Sequence, residues 1–364
     1  MLLAKRLAIG GVCAGLMLFG VAGAASAQSP ASDRTGGHDF DFSIGAWRTH
    51  IRRLTHPLTG SHTWTQWNGT VVTRSIWDGD GDLEELEAGG PGGHFQGLTL
   101  RLYDAKAHKW ALYWVNVEDG LVGTRMLGDF AQGRGVFYDR ETINGRAVEV
   151  RNIYSGATAD TYHFEQAFSS DDGKSWETNF IADLTRDARR ASVPVARSAG
   201  TGDAAQHAFD WQLGRWQVHM TRLIGPLTGT HTWRPLDGSV AVDRVWGGRA
   251  NLAVIDTRGA SDHLQFISLR LYNPKARQWS LNFSTRGSGT LGIPMLGTFK
   301  DGRGTFYSGD QLDGKPIRCR FIFSNLTSGP ASEEQAFSND GGRTWEVNWI
   351  NTAIAAKGAS APQR

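Results

Sequence analysis

Phe40-Asp41-Phe42-Ser43-Ile44-Gly45-Ala46-Trp47 returns as Phe209-Asp210-Trp211-Gln212-Leu213-Gly214-Arg215-Trp216, an offset of 169 residues. The same offset carries Pro57-Leu58-Thr59-Gly60-Ser61-His62-Thr63-Trp64 onto Pro226-Leu227-Thr228-Gly229-Thr230-His231-Thr232-Trp233. It carries Leu100-Arg101-Leu102-Tyr103 onto Leu269-Arg270-Leu271-Tyr272, and Glu165-Gln166-Ala167-Phe168-Ser169 onto Glu334-Gln335-Ala336-Phe337-Ser338. No gap is needed. The chain is therefore a tandem duplication, with copies at 38–186 and 207–355 and a solvated Arg-, Ala-, Ser- and Gly-rich linker at 187–206. Two repeats of this size make two domains, whereas solenoids are built from short units.

Each copy reads as strands. Trp216, Val218 and Met220 alternate with Gln217, His219 and Thr221, and Leu98, Leu100 and Leu102 alternate with Thr99, Arg101 and Tyr103. Trp110, Leu112 and Trp114 do the same, matched by Trp279, Leu281 and Phe283. A period of two gives a strand one apolar face. Asn68-Gly69, Asp237-Gly238, Asn144-Gly145 and Asp313-Gly314 predict type I′ hairpins, because both turn residues need positive φ. No long amphipathic helix appears. The expectation is all-β: two tandem antiparallel barrels of about eight to ten strands, with β-sandwiches as the alternative. Closure is favoured because an open meander leaves exposed edges.

The N-terminus is an address. Lys5-Arg6, an apolar run from Leu7 to Gly23 and Ala25-Ser26-Ala27 form a secretory signal peptide over residues 1–27. The run is too short for a membrane span. The mature protein is expected in the periplasm or secreted, with no later span. Loss of Lys5 and Arg6 turns 38 basic against 36 acidic residues into 36 against 36. A neutral chain argues against nucleic acid, which selects basic patches. Only Cys319 remains, so no intrachain disulfide is expected. Val150 at the equivalent position marks Cys319 as a small buried apolar residue.

The opening F-D-F-x-x-G-x-W, Leu100-Arg101-Leu102-Tyr103 and Gly173-x-x-Trp176, with their partners in copy two, resemble a bacterial exported domain-of-unknown-function family. That family looks calycin- and lipocalin-like, and the resemblance covers both copies. It implies a barrel with an interior cavity for a small, often apolar molecule. It also implies that Trp47 and Trp216 are structural plugs at one barrel end.

Motifs that carry chemistry are few. Ser169-x-Asp171-x-Gly173-x-Ser175-Trp176 and Ser338-x-Asp340-x-Gly342-x-Thr344-Trp345 fit the Asp-box, which is read as a turn. Asp78-Gly79-Asp80-Gly81-Asp82 starts like a calcium loop but has Leu83 where Gly belongs, and Gly89 where a bidentate Glu belongs. It is read as a solvated acidic loop, so no metal site is assigned. Gly287-x-Gly289-x-x-Gly292 lacks a strand-then-helix context and is set aside. Arg101/Arg270 and Glu165/Glu334 are read as surface ion pairs.

The ligand-binding candidates are Arg53, His62 and Trp64, with Arg222, His231 and Trp233. His62 and Trp64 fall on one strand face, as do His231 and Trp233, and would put an imidazole beside an indole if that face lines a cavity. Arg53 and Arg222 lie on the apolar face of the first strand, where a guanidinium fork matches a carboxylate or snorkels out of the barrel mouth. Three functions follow. The first is an exported binder of a small apolar or amphipathic molecule, with no cofactor, haem being the alternative. The second is a cofactor-independent isomerase, cyclase or lyase using His62 and His231 as acid–base groups. The third is an envelope interaction protein without ligand, its two domains packed as a pseudo-dimer.

Overall fold

The computed structural model describes residues 36–188, 204–326 and 330–355. The signal segment and most of the linker fall outside the described residues. In the first copy the strands are β1 (Gly45–Leu54), β2 (Trp64–Ile76), β3 (Gly81–Gly90), β4 (Gly93–Asp104) and β5 (Lys109–Asn116). They continue as β6 (Leu121–Ala131), β7 (Arg134–Ile143), β8 (Arg146–Ser155), β9 (Thr161–Ser169) and β10 (Glu177–Arg186). The second copy repeats the order with β11 (Gly214–Leu223), β12 (Trp233–Val245), β13 (Ala250–Arg258), β14 (His263–Asn273) and β15 (Gln278–Thr285). It ends with β16 (Met295–Lys300), β17 (Arg303–Leu312), β18 (Lys315–Ser324), β19 (Ala331–Ser338) and β20 (Glu346–Ala355).

Each copy is a closed barrel of ten antiparallel strands, every strand paired with the next in sequence. Closure comes from the first strand meeting both the second and the last. Ile51 stands opposite Trp67 on β2 and Ala182 on β10, and Met220 opposite Leu236 on β12 and Asn351 on β20. That double pairing removes both sheet edges and excludes a sandwich. Among the described residues no helix is long and apolar enough to cross a membrane.

The alternation on β11 is realised as expected, with Val218 and Met220 in the core of their barrel. The hairpins at Asn144-Gly145 and Asp313-Gly314 form, with φ of 50° and 78° in the first and 49° and 75° in the second. Asn68-Gly69 and Asp237-Gly238 are not turns. They lie inside the long strands β2 and β12. There glycine serves close approach: a Cβ on Gly69 would sit 2.0 Å from the Glu87 carbonyl oxygen, and one on Gly238 2.0 Å from that of Asp256.

Two further expectations are corrected. On β4 the polar set Thr99, Arg101 and Tyr103 turns inward, since Tyr103 pairs with Trp110 and Arg101 with Leu112, both of them core residues. Leu98, Leu100 and Leu102 occupy the other face and are buried there. Residues 78–85 are not a solvated acidic loop, because Gly81 already starts β3 and Asp82 is buried inside the barrel. Cys319 is buried and free, as its counterpart Val150 suggests. Burial pushes its thiol up to about 12, so it is a packing group.

Candidate functional site

The duplicated opening builds the floor of each barrel. Phe40 enters the core, with its ring 4.9–5.6 Å from those of Trp110, Phe130, Phe137 and Tyr154. Phe209 does the same among Trp279, Phe299, Phe306 and Phe323, at 4.8–5.9 Å. A short 3-10 turn follows each phenylalanine, at Asp41–Ser43 and Asp210–Gln212. Gly45 and Gly214 then take φ of 117° and 120°, a region that favours glycine. This kink feeds the chain into the first strand. Trp47 Nε1 donates to the Ser43 carbonyl at 2.7 Å, and Trp216 Nε1 to that of Gln212 at 2.6 Å, tying each tryptophan to the turn before it.

Above each floor phenylalanine lies a buried arginine, Arg101 at 4.5 Å and Arg270 at 4.6 Å from the ring centre. These are the residues expected at the surface. They are instead the charged centres of the two interiors, and the copies treat them differently. In the first barrel Arg101 Nη1 donates to Asp82 Oδ1 at 2.9 Å, and Nη2 pairs with Glu84. Burial works against the charged guanidinium, but Asp82 and Glu84 outweigh it and raise its pKa above the ordinary value. Of the two acids Asp82 is the more enclosed. Burial, opposed by Arg101, pushes its carboxyl up to about 7.

In the second barrel the positions of Asp82 and Glu84 are Asn251 and Ala253. Arg270 has lost both carboxylates. Its Nη1 donates to the amide oxygens of Gln212 and, at 3.4 Å, Asn251. The nearest acid in this network is Glu333 on the far wall, reached through Gln212 Nε2 at 2.7 Å and also bound by Asn351 Nδ2 at 3.1 Å. Burial lowers Arg270 to about 10, with Glu333 working the other way. It stays charged at neutral pH.

This network is one wall of a cavity of about 40 Å³. Met220, Val240, Ile255, Phe266, Phe283, Phe321 and Trp349 supply the apolar surface. Ser268 Oγ, Arg270 Nε and Asn351 Oδ1 belong to lining residues and have no hydrogen-bond partner within the chain. Copy one has a ring at one of the polar positions: Phe164 stands where Glu333 does, 5.0 Å from Tyr154 and 5.9 Å from Phe180. Ala182 replaces Asn351.

Solved structures show partial likenesses. An S-type phycobiliprotein lyase from Guillardia theta aligns with 42% of this chain and 94% of its own, at 16% identity and a TM-score of 0.31. A protein of the DUF3598 family from Nostoc punctiforme aligns with 89% of this chain and all of its own, at 11% identity and a TM-score of 0.27. A transferrin binding protein B variant from Haemophilus parasuis aligns over 85% and 76%, at 6% identity and a TM-score of 0.18. No family model matches the sequence, and no curated protein matches it. At these scores the likenesses carry no functional argument.

The residues nominated from sequence do not assemble into one site. His62 and His231 precede β2 and β12, in the loops after the first strand of each barrel, and are exposed. Trp64 and Trp233 follow at 38% and 37% exposure. The pleat turns them outward, since Trp64 pairs with Leu54 while the inward Ile51 pairs with Trp67. Arg53 is exposed as well. Arg222 differs from all of these. It is buried, on the same strand face as Val218 and Met220, and pairs in register with the cavity residue Trp349.

Other histidines are held locally. His38 and His207 bond Asp41 and Asp210 through Nδ1 at 2.8 and 3.0 Å, and His219 bonds Asp237 at 2.8 Å. Both Asp-boxes are turns. Asp171 accepts from the Ser175 amide and hydroxyl at 2.9 and 2.6 Å, and Asp340 from those of Thr344 at 3.0 and 2.7 Å. These bonds hold both carboxyls well below the usual range. Glu165 accepts from Thr178 Oγ1 at 2.7 Å, and Glu334 from Arg320 at 3.4 Å, so neither pairs with Arg101 or Arg270.

No sequence motif marked the cavity. One signal was available: at the positions of Asp82, Phe164 and Ala182 the second copy carries Asn251, Glu333 and Asn351. Such a concerted exchange of partners between copies is visible only when the strand register shows that the positions meet.

Proposed function

We propose that the protein is a small-molecule binder and that its second barrel holds the ligand. One observation carries this reading. Ser268, Arg270 and Asn351 line one cavity with aromatic and aliphatic walls, and their Oγ, Nε and Oδ1 atoms lack partners in the chain. Buried polar groups are nearly always satisfied, so three such atoms at one cavity call for a molecule that satisfies them. An uncharged polar group of the ligand meets this cluster, and its apolar part lies along Phe266, Phe283, Phe321 and Trp349. A cavity of about 40 Å³ admits only a few waters as it stands. Binding therefore requires the phenylalanine rings to turn aside.

The test is a thermal-shift and calorimetric screen of the full mature chain against small amphiphiles with a polar end group. Ser268→Leu places hydrocarbon on the polar side of the cavity and should abolish binding while the protein stays folded. A chain that binds none of these molecules, or a variant that binds them as well as the parent, contradicts the reading.

The leader-like residues 1–27 support a second element of the proposal, action outside the cytoplasm. Expressed in a bacterium, the protein should appear in the periplasmic or culture fraction, with Gln28 as its first residue. Retention of an uncut chain in the cytoplasm would count against export.

A further inference from the structure

We infer that the ligand of the second barrel is an organic anion, and that Arg222, toward the other end of β11 from Trp216, receives its charged group. This rests on the binding reading above and adds the chemical class.

Arg222 is only 6% exposed, yet its Nε and Nη1 are buried with no partner in the chain. Its ionic neighbour among the described residues is Asp262, with Oδ2 3.6 Å from Nη2. Arg234 shares that carboxylate at 3.5 Å, so one negative charge serves two guanidinium groups. Arg222 pairs across β11 and β20 with Trp349, a cavity wall, and lies two residues beyond Met220, another wall residue on the same face. A guanidinium has five N–H donors in a planar fork that fits a carboxylate through two parallel bonds. Here the fork is enclosed, carries surplus positive charge and has free donors. At the opposite end Arg270 and Glu333 are joined through Gln212, so that end suits an uncharged polar group. The anion belongs at Arg222.

This arrangement is particular to copy two. Arg53, the counterpart, is exposed, and the positions of Asp262 and Arg234 are Gly93 and Thr65.

Octanoate and octan-1-ol share a chain and differ in charge, so they separate this inference from the reading beneath it. At pH 7.5 and low salt the full mature protein should bind octanoate at least about tenfold more tightly than octanol by titration calorimetry. Arg222→Gln should bring the two within about twofold by weakening octanoate alone. Lys315→Gln removes an exposed positive charge in the β17–β18 hairpin and should change neither. Asp262→Asn keeps the test intact if Arg222→Gln fails to fold. It frees both guanidinium groups and should raise the preference for octanoate. Equal affinity of the parent for both molecules, or an unchanged preference in the variants, overturns the anion inference and leaves the cavity reading standing. Binding of neither molecule overturns both.

Discussion

At the scale of single residues, one position tells most of the story. Arg101 and Arg270 sit above equivalent phenylalanines, yet one is clamped by two acids and the other by two amides. Removing a partner from a buried ion pair leaves an uncompensated charge, which costs about 3–5 kcal/mol. Arg101→Met strands Asp82 and Glu84 and should lower stability in urea by about that amount. Arg270→Met leaves Glu333 its neutral donors Gln212 and Asn351 and should cost less. Equal losses in the two variants would contradict the assigned partners.

Asp310 gives a pH test. It is buried on β17, and burial raises its carboxyl to about 6 from 3.8, with the Gln311 amide opposing. The folded state therefore keeps a proton that the unfolded chain releases near pH 4. The stabilising effect is complete below pH 4 and is lost as pH rises through about 6. Asp310→Asn should stabilise the protein by about 1–3 kcal/mol at pH 7.5 and hardly at all at pH 4. A difference independent of pH would show that this carboxyl titrates normally.

Why the arginines were missed in the sequence follows from the same residues. Alternation on β4 separates Leu98, Leu100 and Leu102 from Thr99, Arg101 and Tyr103, but does not say which set faces in. The ordinary preference for leucine inside pointed the wrong way, because the partners of Arg101 come from β3 and become visible only with the strand register.

At the scale of elements, glycine decides where strands run. Asn144-Gly145 and Asn68-Gly69 are the same dipeptide with opposite uses. The first closes a hairpin through positive φ, and the second lets β2 pass close to β3. A local pattern cannot separate these needs, since both select glycine, one for its φ and one for its missing Cβ. Gly69→Ala should cost about 1–3 kcal/mol or more, despite the better strand propensity of alanine. The Cβ would press on backbone, which cannot turn aside. A neutral Gly69→Ala would mean that the close approach is absent in solution. The periodicity on β11 was readable from its alternation, and the Asp-box turns because their bonds lie within a few residues, whereas on β5 Trp114 is exposed and the intervening Ala111 and Tyr113 are buried.

At the scale of the whole molecule, duplication supplied one architecture twice, and the interiors then diverged. Barrel closure and strand direction were legible from period-two patterning and repeat length. The site was not, because it depends on residues from Gln212 to Asn351 that meet only inside a closed barrel. His62 and His231 drew attention for their chemistry, and both ended in exposed loops. The first copy pairs its buried Arg101 with the acids Asp82 and Glu84. The second pairs its counterpart Arg270 with amides and has a cavity lined by Ser268, Arg270 and Asn351.

That division is the central claim, and native mass spectrometry of the full mature protein purified from its own host tests it most directly. The account predicts one bound organic mass per chain, lost in Ser268→Leu and retained in the equivalent first-barrel variant Thr99→Leu. Two bound masses per chain, equal loss in both variants, or no bound mass at all would contradict it.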